Sequence, residues 1–299
     1  IGEVQAWNLD TGKVVWTFRT DAMIKGSACL YKNRIYFPDV DNHLRCLDAS
    51  DGSLIWKWRS PNDMDSSPRV SDGLLYNGGE DGDVKCFDPD TGDLKWKVSY
   101  GVGCCDHPGS GGIESSLAIR DGVAYFGHLD GHVRALRLSD QTEVWKTALG
   151  EDVDASPLLV GDKLYIGVES GKPSFRCLAI KDGSEVWSHH IPTGVWSSAA
   201  VWKDTVIVGG NDANLYCFDK DTGDVKWTYA SGAGIWSSPS VVDGKVLFGD
   251  YDAWYRMVDA ETGAELWKYE VGDRCHSGAA IEDGHLWIGA SSGWYYCFG

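Results

Sequence analysis

Hydrophobic and polar positions alternate along the chain in short runs, and glycine-containing turns separate one run from the next. Between Trp236 and Trp267 the runs Ser-Val-Val, Lys-Val-Leu-Phe-Gly, Tyr-Arg-Met-Val-Asp and Ala-Glu-Leu-Trp follow one another, and most are divided by Asp-Gly or Thr-Gly. Alternation with a period of two predicts half-buried strands, and Asp-Gly between them predicts hairpins because glycine accepts positive φ. No helical periodicity competes with this pattern, so the chain is predicted to be all-β.

The same unit recurs along the whole chain and ends each time on a tryptophan. Asp-Thr-Gly-Asp-Val-Lys-Trp ends at Trp227, and the least regular copy, which ends at Trp145, carries Gln141 in place of the glycine. The repeat tryptophans are Trp16, Trp56, Trp96, Trp145, Trp187, Trp227 and Trp267, at spacings of 40, 40, 49, 42, 40 and 40 residues. Four short strands in about 40 residues are typical of one blade of a β-propeller.

The number of blades follows from the strand copies. First, second and fourth strands occur seven times each, whereas both Val4–Leu9 and Trp294–Phe298 have the third-strand pattern, which therefore occurs eight times. We predict one domain over residues 1–299, a seven-bladed propeller in which the N-terminal segment supplies the outer strand of the last blade. Such closure removes free sheet edges. An eight-bladed ring with one incomplete blade is the alternative.

The repeat also carries a family resemblance. The pattern Ala/Cys-x-Asp-x-x-Thr-Gly-x-x-x-Trp resembles the tryptophan-docking motif of the PQQ-like (quinoprotein-type) propeller superfamily, and it covers essentially the whole chain. The resemblance implies that each repeat tryptophan packs on a neighbouring blade and locks it in place. It does not select one activity within the superfamily.

Composition and motifs exclude several classes of function. The chain has 44 acidic and 27 basic residues and a formal net charge of −17, which argues against a nucleic-acid partner. No stretch approaches the about 20 apolar residues of a membrane-spanning helix. A Ser-His-Asp order and a phosphate-binding Gly-Lys motif are both missing from the sequence, so acyl transfer and nucleotide chemistry have no support. The expected partner is a protein or a small molecule bound on the top face.

Five of the nine cysteines fall in one column of the third strand. They are Cys46, Cys86, Cys177, Cys217 and Cys297. The same column holds Ala6, Ala135 and Met257, so it is predicted to be a buried apolar position, and Cys29 on a first strand is predicted to be core as well. Free thiols favour a reducing compartment such as the cytoplasm, while a periplasmic location stays open if a signal peptide was removed.

The irregular loop behind the 49-residue spacing contains the adjacent cysteines Cys104 and Cys105. Quinoprotein alcohol dehydrogenases carry a Cys-Cys-Asp loop similar to Cys104-Cys105-Asp106, and its vicinal disulfide covers their quinone. The resemblance implies a lid formed by Cys104, Cys105, Asp106 and His107 over bound PQQ and Ca²⁺. From His107 onwards this sequence departs from that family, and a purely structural role for the loop stays open.

One residue in each blade is predicted to line the mouth of the central funnel, just before the small residues that open the first strand. These rim residues are Lys25, Asp65, Glu114, Asp154, Trp196, Trp236 and His276. Asp65, Glu114 and Asp154 are expected to face the two tryptophans, and clustered carboxylates suggest a bound cation, a metal ion or raised pKa values. A solvated, unliganded rim is the alternative.

Three functions remain open at this point. The first is a non-catalytic binding scaffold that uses the top face and the funnel. The second is a quinoprotein-like oxidoreductase that holds PQQ and Ca²⁺ in the funnel under the Cys104–Cys105 loop. The third is binding of a cationic small molecule between the acids and the tryptophans.

Overall fold

The computed structural model describes residues 2–101 and 111–299 and divides the chain into two compact units, Ile1–Asp154 and Ala155–Gly299. Every regular element among the described residues is a β-strand. No helix in this part of the chain has the length and apolar character needed to cross a membrane.

The first unit contains fourteen strands in four sheets among its described residues. Strands β1 (Gly2–Asn8) and β2 (Lys13–Thr20) form a two-stranded sheet. The three four-stranded sheets are β3 (Cys29–Tyr31), β4 (Arg34–Asp39), β5 (His43–Asp48) and β6 (Leu54–Arg59); β7 (Arg69–Ser71), β8 (Leu74–Asn77), β9 (Asp83–Phe87) and β10 (Leu94–Ser99); and β11 (Ala118–Arg120), β12 (Val123–His128), β13 (His132–Arg137) and β14 (Thr142–Ala148).

The second unit contains fifteen strands, also in four sheets. Its four-stranded sheets are β15 (Leu158–Val160), β16 (Lys163–Gly167), β17 (Phe175–Ala179) and β18 (Glu185–His189); β19 (Ala200–Trp202), β20 (Thr205–Gly209), β21 (Asn214–Asp219) and β22 (Val225–Ala230); and β23 (Ser240–Val242), β24 (Lys245–Gly249), β25 (Trp254–Asp259) and β26 (Glu265–Glu270). A three-stranded sheet follows, made of β27 (Ala280–Glu282), β28 (His285–Gly289) and β29 (Tyr295–Phe298).

The strands follow the order that the repeat predicts. Each sheet is an antiparallel meander in sequence order, and first, second and fourth strands occur seven times each among the described residues, with the third strand present eight times. The all-β class, the four-stranded blade and the seven-bladed propeller are confirmed. Closure by the N-terminal segment and the single domain over residues 1–299 stay predictions.

The core lies between neighbouring sheets. In the first unit, Val84 and Cys86 of β9 pack with Phe126 of β12 and Leu136 of β13, and all four side chains are fully buried. Clusters of the same kind recur in the second unit, where Cys217 packs with Phe248. Each blade therefore buries an apolar face that a single sheet could not bury alone.

The repeat tryptophans join one sheet to the next. The indole N–H of Trp56 donates to the carbonyl oxygen of Pro89 in the following sheet at 3.0 Å, and Trp227 donates in the same way to Ala260 at 3.1 Å. Trp16 and Trp187 donate to Ala49 and Lys220. The turn glycine of the following sheet lies under the ring, and a Cβ on Gly92 would come within 2.6 Å of the Trp56 indole.

The prediction of buried thiols is right for most of the cysteine column and wrong for Cys297. Cys46, Cys86, Cys177 and Cys217 are fully buried, whereas Cys297 is exposed. The physical reason is that β29 ends a three-stranded sheet, so no fourth strand among the described residues covers its last side chains. Cys29 is half-buried and not fully core, because β3 is an end strand of its sheet. All seven described cysteines are free.

Candidate functional site

Backbone hydrogen bonds position the rim residues. In six blades, the N–H at one position of the turn between the second and third strands donates to the carbonyl oxygen two residues before the rim residue. The pairs are Val40–Met23, Glu80–Asp63, Leu129–Gly112, Asn211–Gly194, Tyr251–Gly234 and Ser291–Arg274, at 3.0 to 3.1 Å. We call these turn positions (Val40, Glu80, Leu129, Asn211, Tyr251 and Ser291) the turn column. In these six blades the bond thus brings the backbone of the turn-column residue to the loop that carries the rim residue.

A second bond ties a rim loop to the preceding blade. Ile113, next to Glu114, donates its N–H to the carbonyl oxygen of Gly79, and Ile235, next to Trp236, donates to that of Gly210. The serines that follow the rim residues add a third link, since the N–H of Ser27 donates to Ser67 Oγ at 2.9 Å and that of Ser198 to Ser238 Oγ at 3.0 Å. The small residues at the rim therefore connect blades as well as saving space.

In the first unit, three carboxylates meet at the rim. One oxygen each from Asp65, Glu80 and Glu114 lie within 4.8 Å of one another. Glu80 is 4% exposed, and its Oε2 accepts the backbone N–H groups of Gly111 at 3.0 Å and Gly112 at 3.4 Å. The close approach requires glycine, because a Cβ on Gly112 would lie 2.3 Å from the Gly79 carbonyl oxygen.

Lys25 balances part of this charge. Its Nζ lies 2.6 Å from Asp65 Oδ2, while Asp65 Oδ1 is buried and has no hydrogen-bond partner among the described residues. Burial alone would lower the pKa of Lys25, but the hydrogen bond and charge of Asp65, with the charges of Glu114 and Glu80, raise it. Burial raises the pKa of Asp65, and Lys25 opposes that rise.

Glu114 is the proton carrier of the cluster. Burial, a hydrogen bond with Glu80 and the negative charges of Asp154, Glu80 and Asp65 together raise the pKa of Glu114 to about 9. With this pKa the Glu114 carboxyl holds its proton at neutral pH and donates a hydrogen bond to Glu80. Asp154 acts on Glu114 through its charge and is not one of the three residues that share the 4.8 Å cluster.

The donor set suits a hard cation. Carboxylate oxygens are the ligands that Ca²⁺ prefers, and Asp65, Glu80 and Glu114 would hold it, with the Glu114 proton displaced. The lid assigned to a quinone by resemblance, Cys104, Cys105, Asp106 and His107, lies outside the described residues. The described part of the first unit thus fits a cation.

In the second unit, the rim residues form an aromatic cluster. The ring centroids of Trp196 and Trp236 are 4.0 Å apart, and Tyr251 lies 4.2 Å from Trp236. His276 contacts Trp236 and Tyr251 edge-on, with 5.4 Å between centroids in both cases. The Arg274 guanidinium lies 4.4 Å above the Tyr251 ring and donates to its hydroxyl at 3.0 Å.

This aromatic cluster is accessible and cationic at its edge. Trp196, Trp236 and Tyr251 are half-buried, and Arg274 and His276 are exposed. The Trp196 indole N–H is buried without a hydrogen-bond partner among the described residues. Burial and the nearby Arg274 lower the pKa of His276, so its imidazole is neutral at physiological pH.

Sequence reasoning found the rim residues but missed Glu80 and Tyr251. Both belong to the turn column, and both complete a cluster that a rim residue begins. The only hint in the sequence is that a glutamate and a tyrosine are unusual choices for a tight turn, and this does not show where their side chains point. The predicted meeting of the acids with the tryptophans stays a prediction, since the acidic cluster belongs to the first unit and the aromatic cluster to the second.

Comparison with known proteins gives one family. The family model described as outer membrane protein assembly factor BamB matches residues 1–172, 80–198 and 175–293. No curated protein matches the sequence.

Several solved structures share the fold. BamB from Moraxella catarrhalis is 16% identical, with a TM-score of 0.80 over 99% of this chain and 88% of that chain. A europium-containing methanol dehydrogenase is 14% identical, with a TM-score of 0.78 over 99% of this chain and 78% of that one. The computationally designed Ika8 protein is 15% identical, with a TM-score of 0.63 over 93% and 96%. At these identities the likeness shows the fold alone.

Proposed function

Because the chain belongs to the family of the outer membrane protein assembly factor BamB, we propose that it is a non-catalytic scaffold that binds a protein partner through its rim loops. The observation that carries this proposal is the accessible cluster of Trp196, Trp236 and Tyr251 with Arg274 at its edge. Tryptophan, tyrosine and arginine dominate the residues that contribute most to protein interfaces.

The backbone supports such a role. The backbone N–H groups of Asn211 and Tyr251 bind the loops that carry Trp196 and Trp236, each within its own blade. Further backbone hydrogen bonds join these loops to the preceding blade. An aromatic surface that is already ordered loses little conformational entropy when a partner binds.

The test is affinity capture from membrane and soluble fractions of the source cells with wild-type protein, Trp236→Ala and the matched control Trp254→Ala. Trp254 lies on β25, where its ring contacts Arg256 and Lys268, and it makes none of the ring contacts of the cluster. We expect proteins captured by the wild type and by Trp254→Ala to be lost with Trp236→Ala. A capture set that is identical for all three proteins would contradict a role for the rim.

The acidic cluster supports a second candidate function, which is binding of a cation at Asp65, Glu80 and Glu114. Calorimetry with Ca²⁺, with an amine panel and with PQQ plus Ca²⁺ separates a metal site, an organic-cation site and a quinoprotein-like site. Glu114→Gln is the test variant, and the exposed Asp21→Asn is the control in the same unit. Absence of heat and of thermal stabilisation with all three ligands would exclude this candidate.

A further inference from the structure

In two places, the first residue of a second strand is a cation that contacts the next sheet. Arg34, which begins β4, donates from one guanidinium nitrogen to the carbonyl oxygens of Pro89 at 3.3 Å and Asp90 at 2.9 Å, and the same nitrogen lies 3.0 Å from Asp90 Oδ1. Lys163, which begins β16, forms an ion pair with Asp221 of the next sheet. The turn between the third and fourth strands therefore accepts a cation from the sheet before it.

The cation and the acid occur together in the sequence. Ser139 stands in one turn at the position of Asp90, and the second strand of the preceding sheet begins there with Leu74. Lys181 stands at that position in another turn, and the preceding second strand begins with Val123. A turn without the acid thus follows a sheet without the cation.

Glu261 breaks this pairing. It stands at the position of Asp90 in the turn between β25 and β26, but the second strand of the preceding sheet, β20, begins with Thr205. The Thr205 hydroxyl donates to the carbonyl oxygen of Trp202 in its own sheet at 2.7 Å. The acceptors of the turn are therefore present, while the residue that elsewhere supplies the cation is short and bonded within its own sheet.

A cavity of about 380 Å³ lies at this place, within the range of small-molecule pockets. Thr205, Ala260 and Glu261 line it, together with the indoles of Trp202 and Trp227. Ala260 corresponds to Pro89, since the carbonyl oxygen of each accepts the N–H of a repeat tryptophan. The cavity thus combines the acceptors that hold the Arg34 guanidinium in the first unit with an aromatic wall.

The charges around the cavity favour a cation. Its lining includes two lysines, Lys203 and Lys226, and three acids, Asp204, Asp219 and Glu261, which leaves one negative charge in excess. The Lys203 ammonium lies 3.0 Å from Glu261 Oε2, but these side chains are 63% and 69% exposed. An ion pair so exposed to solvent contributes little stability and is easily exchanged for another.

We propose that this cavity binds a small guanidinium compound, whose planar cation takes the place that Arg34 has beside Asp90. The guanidinium would donate to the Ala260 carbonyl oxygen and the Glu261 carboxylate, because its fork of N–H groups suits a carboxylate. The Trp202 ring would cover its face, as it already attracts the Lys203 ammonium, 5.3 Å from the ring centroid.

This site is separate from the rim. Trp196 lies before β19, whereas Trp202 is the last residue of that strand, so the cavity lies at the other end of the strand from the rim residue. The proposal therefore goes beyond the scaffold function and does not depend on it.

The test uses n-butylguanidinium as the probe and n-butylurea, its uncharged counterpart of similar shape, as the matched control. The readout is the set of tryptophan indole N–H signals in a two-dimensional NMR spectrum of the full chain, in which Trp202→Phe identifies the signal of Trp202. We expect the Trp202 signal to shift with a dissociation constant on the order of 1 mM for n-butylguanidinium. Binding of n-butylurea should be at least about tenfold weaker, because it lacks the charge.

Four variants assign the effect to this cavity. Thr205→Arg supplies the cation from the chain itself and should abolish binding, whereas Thr205→Val leaves the space open and should keep it. Glu261→Gln, at an exposed position that folding tolerates, should weaken binding by about fivefold. Lys203→Gln removes a competing cation and should strengthen binding by about threefold.

Two further variants separate this proposal from the others. Glu114→Gln and Trp236→Ala should both leave the shift of the Trp202 signal unchanged, so a failure of the cation site or of the rim would not be mistaken for a failure here.

Three results would overturn the proposal. The first is a Trp202 signal that does not move at about 10 mM n-butylguanidinium, tenfold above the expected constant. The second is equal binding of n-butylurea, because the cavity would then select shape and not charge. The third is unchanged binding in both Thr205→Arg and Glu261→Gln, which would place the ligand elsewhere.

Discussion

Lys25 and Asp65 form an ion pair, with 2.6 Å between Nζ and Oδ2, that joins the rim loops of two consecutive sheets. The Asp65 side chain is 8% exposed and the Lys25 side chain 53%, so the pair lies at the border between solvent and the acidic cluster. Because Asp65 Oδ1 has no hydrogen-bond partner among the described residues, Lys25 is the main described group that stabilises this buried charge.

Removal of Lys25 is therefore expected to destabilise the protein. Lys25→Met should lower the free energy of unfolding by about 1–2 kcal/mol at pH 7, less than for a fully buried pair because Lys25 is half exposed. The double variant with Asp65→Asn should recover most of the loss, since no buried charge is then left alone. Urea denaturation of the single and double variants measures this coupling, and equal losses in the two would contradict it.

The raised pKa of Glu114 predicts how stability depends on pH. Its folded pKa of about 9 lies above the ordinary value of 4.5, so between these two pH values the folded state holds a proton that the unfolded state has released. The contribution of Glu114 to stability is thus fully present below pH about 4.5 and is lost as the pH rises towards 9.

The expected result is a melting temperature that falls between pH 5 and pH 9 in the wild type and falls less in Glu114→Gln. One such group changes the free energy of unfolding by at most about 1.4 kcal/mol per pH unit. The exposed variant Asp21→Asn should keep the wild-type slope. If Glu114→Gln and the wild type show the same slope, the carboxyl does not hold a proton at neutral pH.

Because Gly92 lies against the Trp56 ring, a methyl group added at Gly92 is expected to lower the stability of the protein. Gly92 has a φ of +76° and a Cβ there would meet the indole at 2.6 Å, whereas Gly122 has a φ of +71° and nothing within 4 Å of its Cβ position. Gly122→Ala should cost about 1 kcal/mol from backbone strain alone. Gly92→Ala should cost about 1–3 kcal/mol more, because the methyl group displaces the ring.

Denaturation of these two variants measures how strongly the Trp56 ring is held against the neighbouring sheet, because both variants carry the same backbone strain. Equal losses of stability would mean that the indole moves away at no cost. The Trp56 N–H bond to Pro89 would then be too weak to fix the neighbouring sheet.

The Glu80 carboxylate is expected to protect two backbone amides from hydrogen exchange. Because its Oε2 accepts the N–H groups of Gly111 and Gly112, Glu80→Ala leaves both donors without this acceptor and should cost about 1–3 kcal/mol. Glu80→Gln keeps an oxygen acceptor and should cost less. Hydrogen exchange at Gly112, faster in the alanine variant than in the glutamine variant, tests this, and equal exchange would show that the carboxylate is not the acceptor.

Part of the candidate site was visible in the sequence because the repeat aligns equivalent positions. Alignment of the blades identified Asp65 and Glu114 as rim residues, and Trp196 and Trp236 likewise. It missed Glu80, because a residue inside a turn has the same sequence context whether its side chain points to solvent or to a neighbouring blade. The bond from the Glu80 N–H to Asp63 is what brings that side chain to the rim.

Sequence alone determined the period, the strands, the turns and the all-β propeller class, since alternating side chains and turn glycines are properties of adjacent residues. Tertiary structure decided what depends on neighbouring sheets. The same column residue is buried at Cys217 and exposed at Cys297, because a fourth strand covers only the first of them. Likewise Glu114 retains its proton because it is buried and lies near the charges of Glu80, Asp65 and Asp154, and Glu80 and Asp65 belong to the preceding blade, which is distant in sequence.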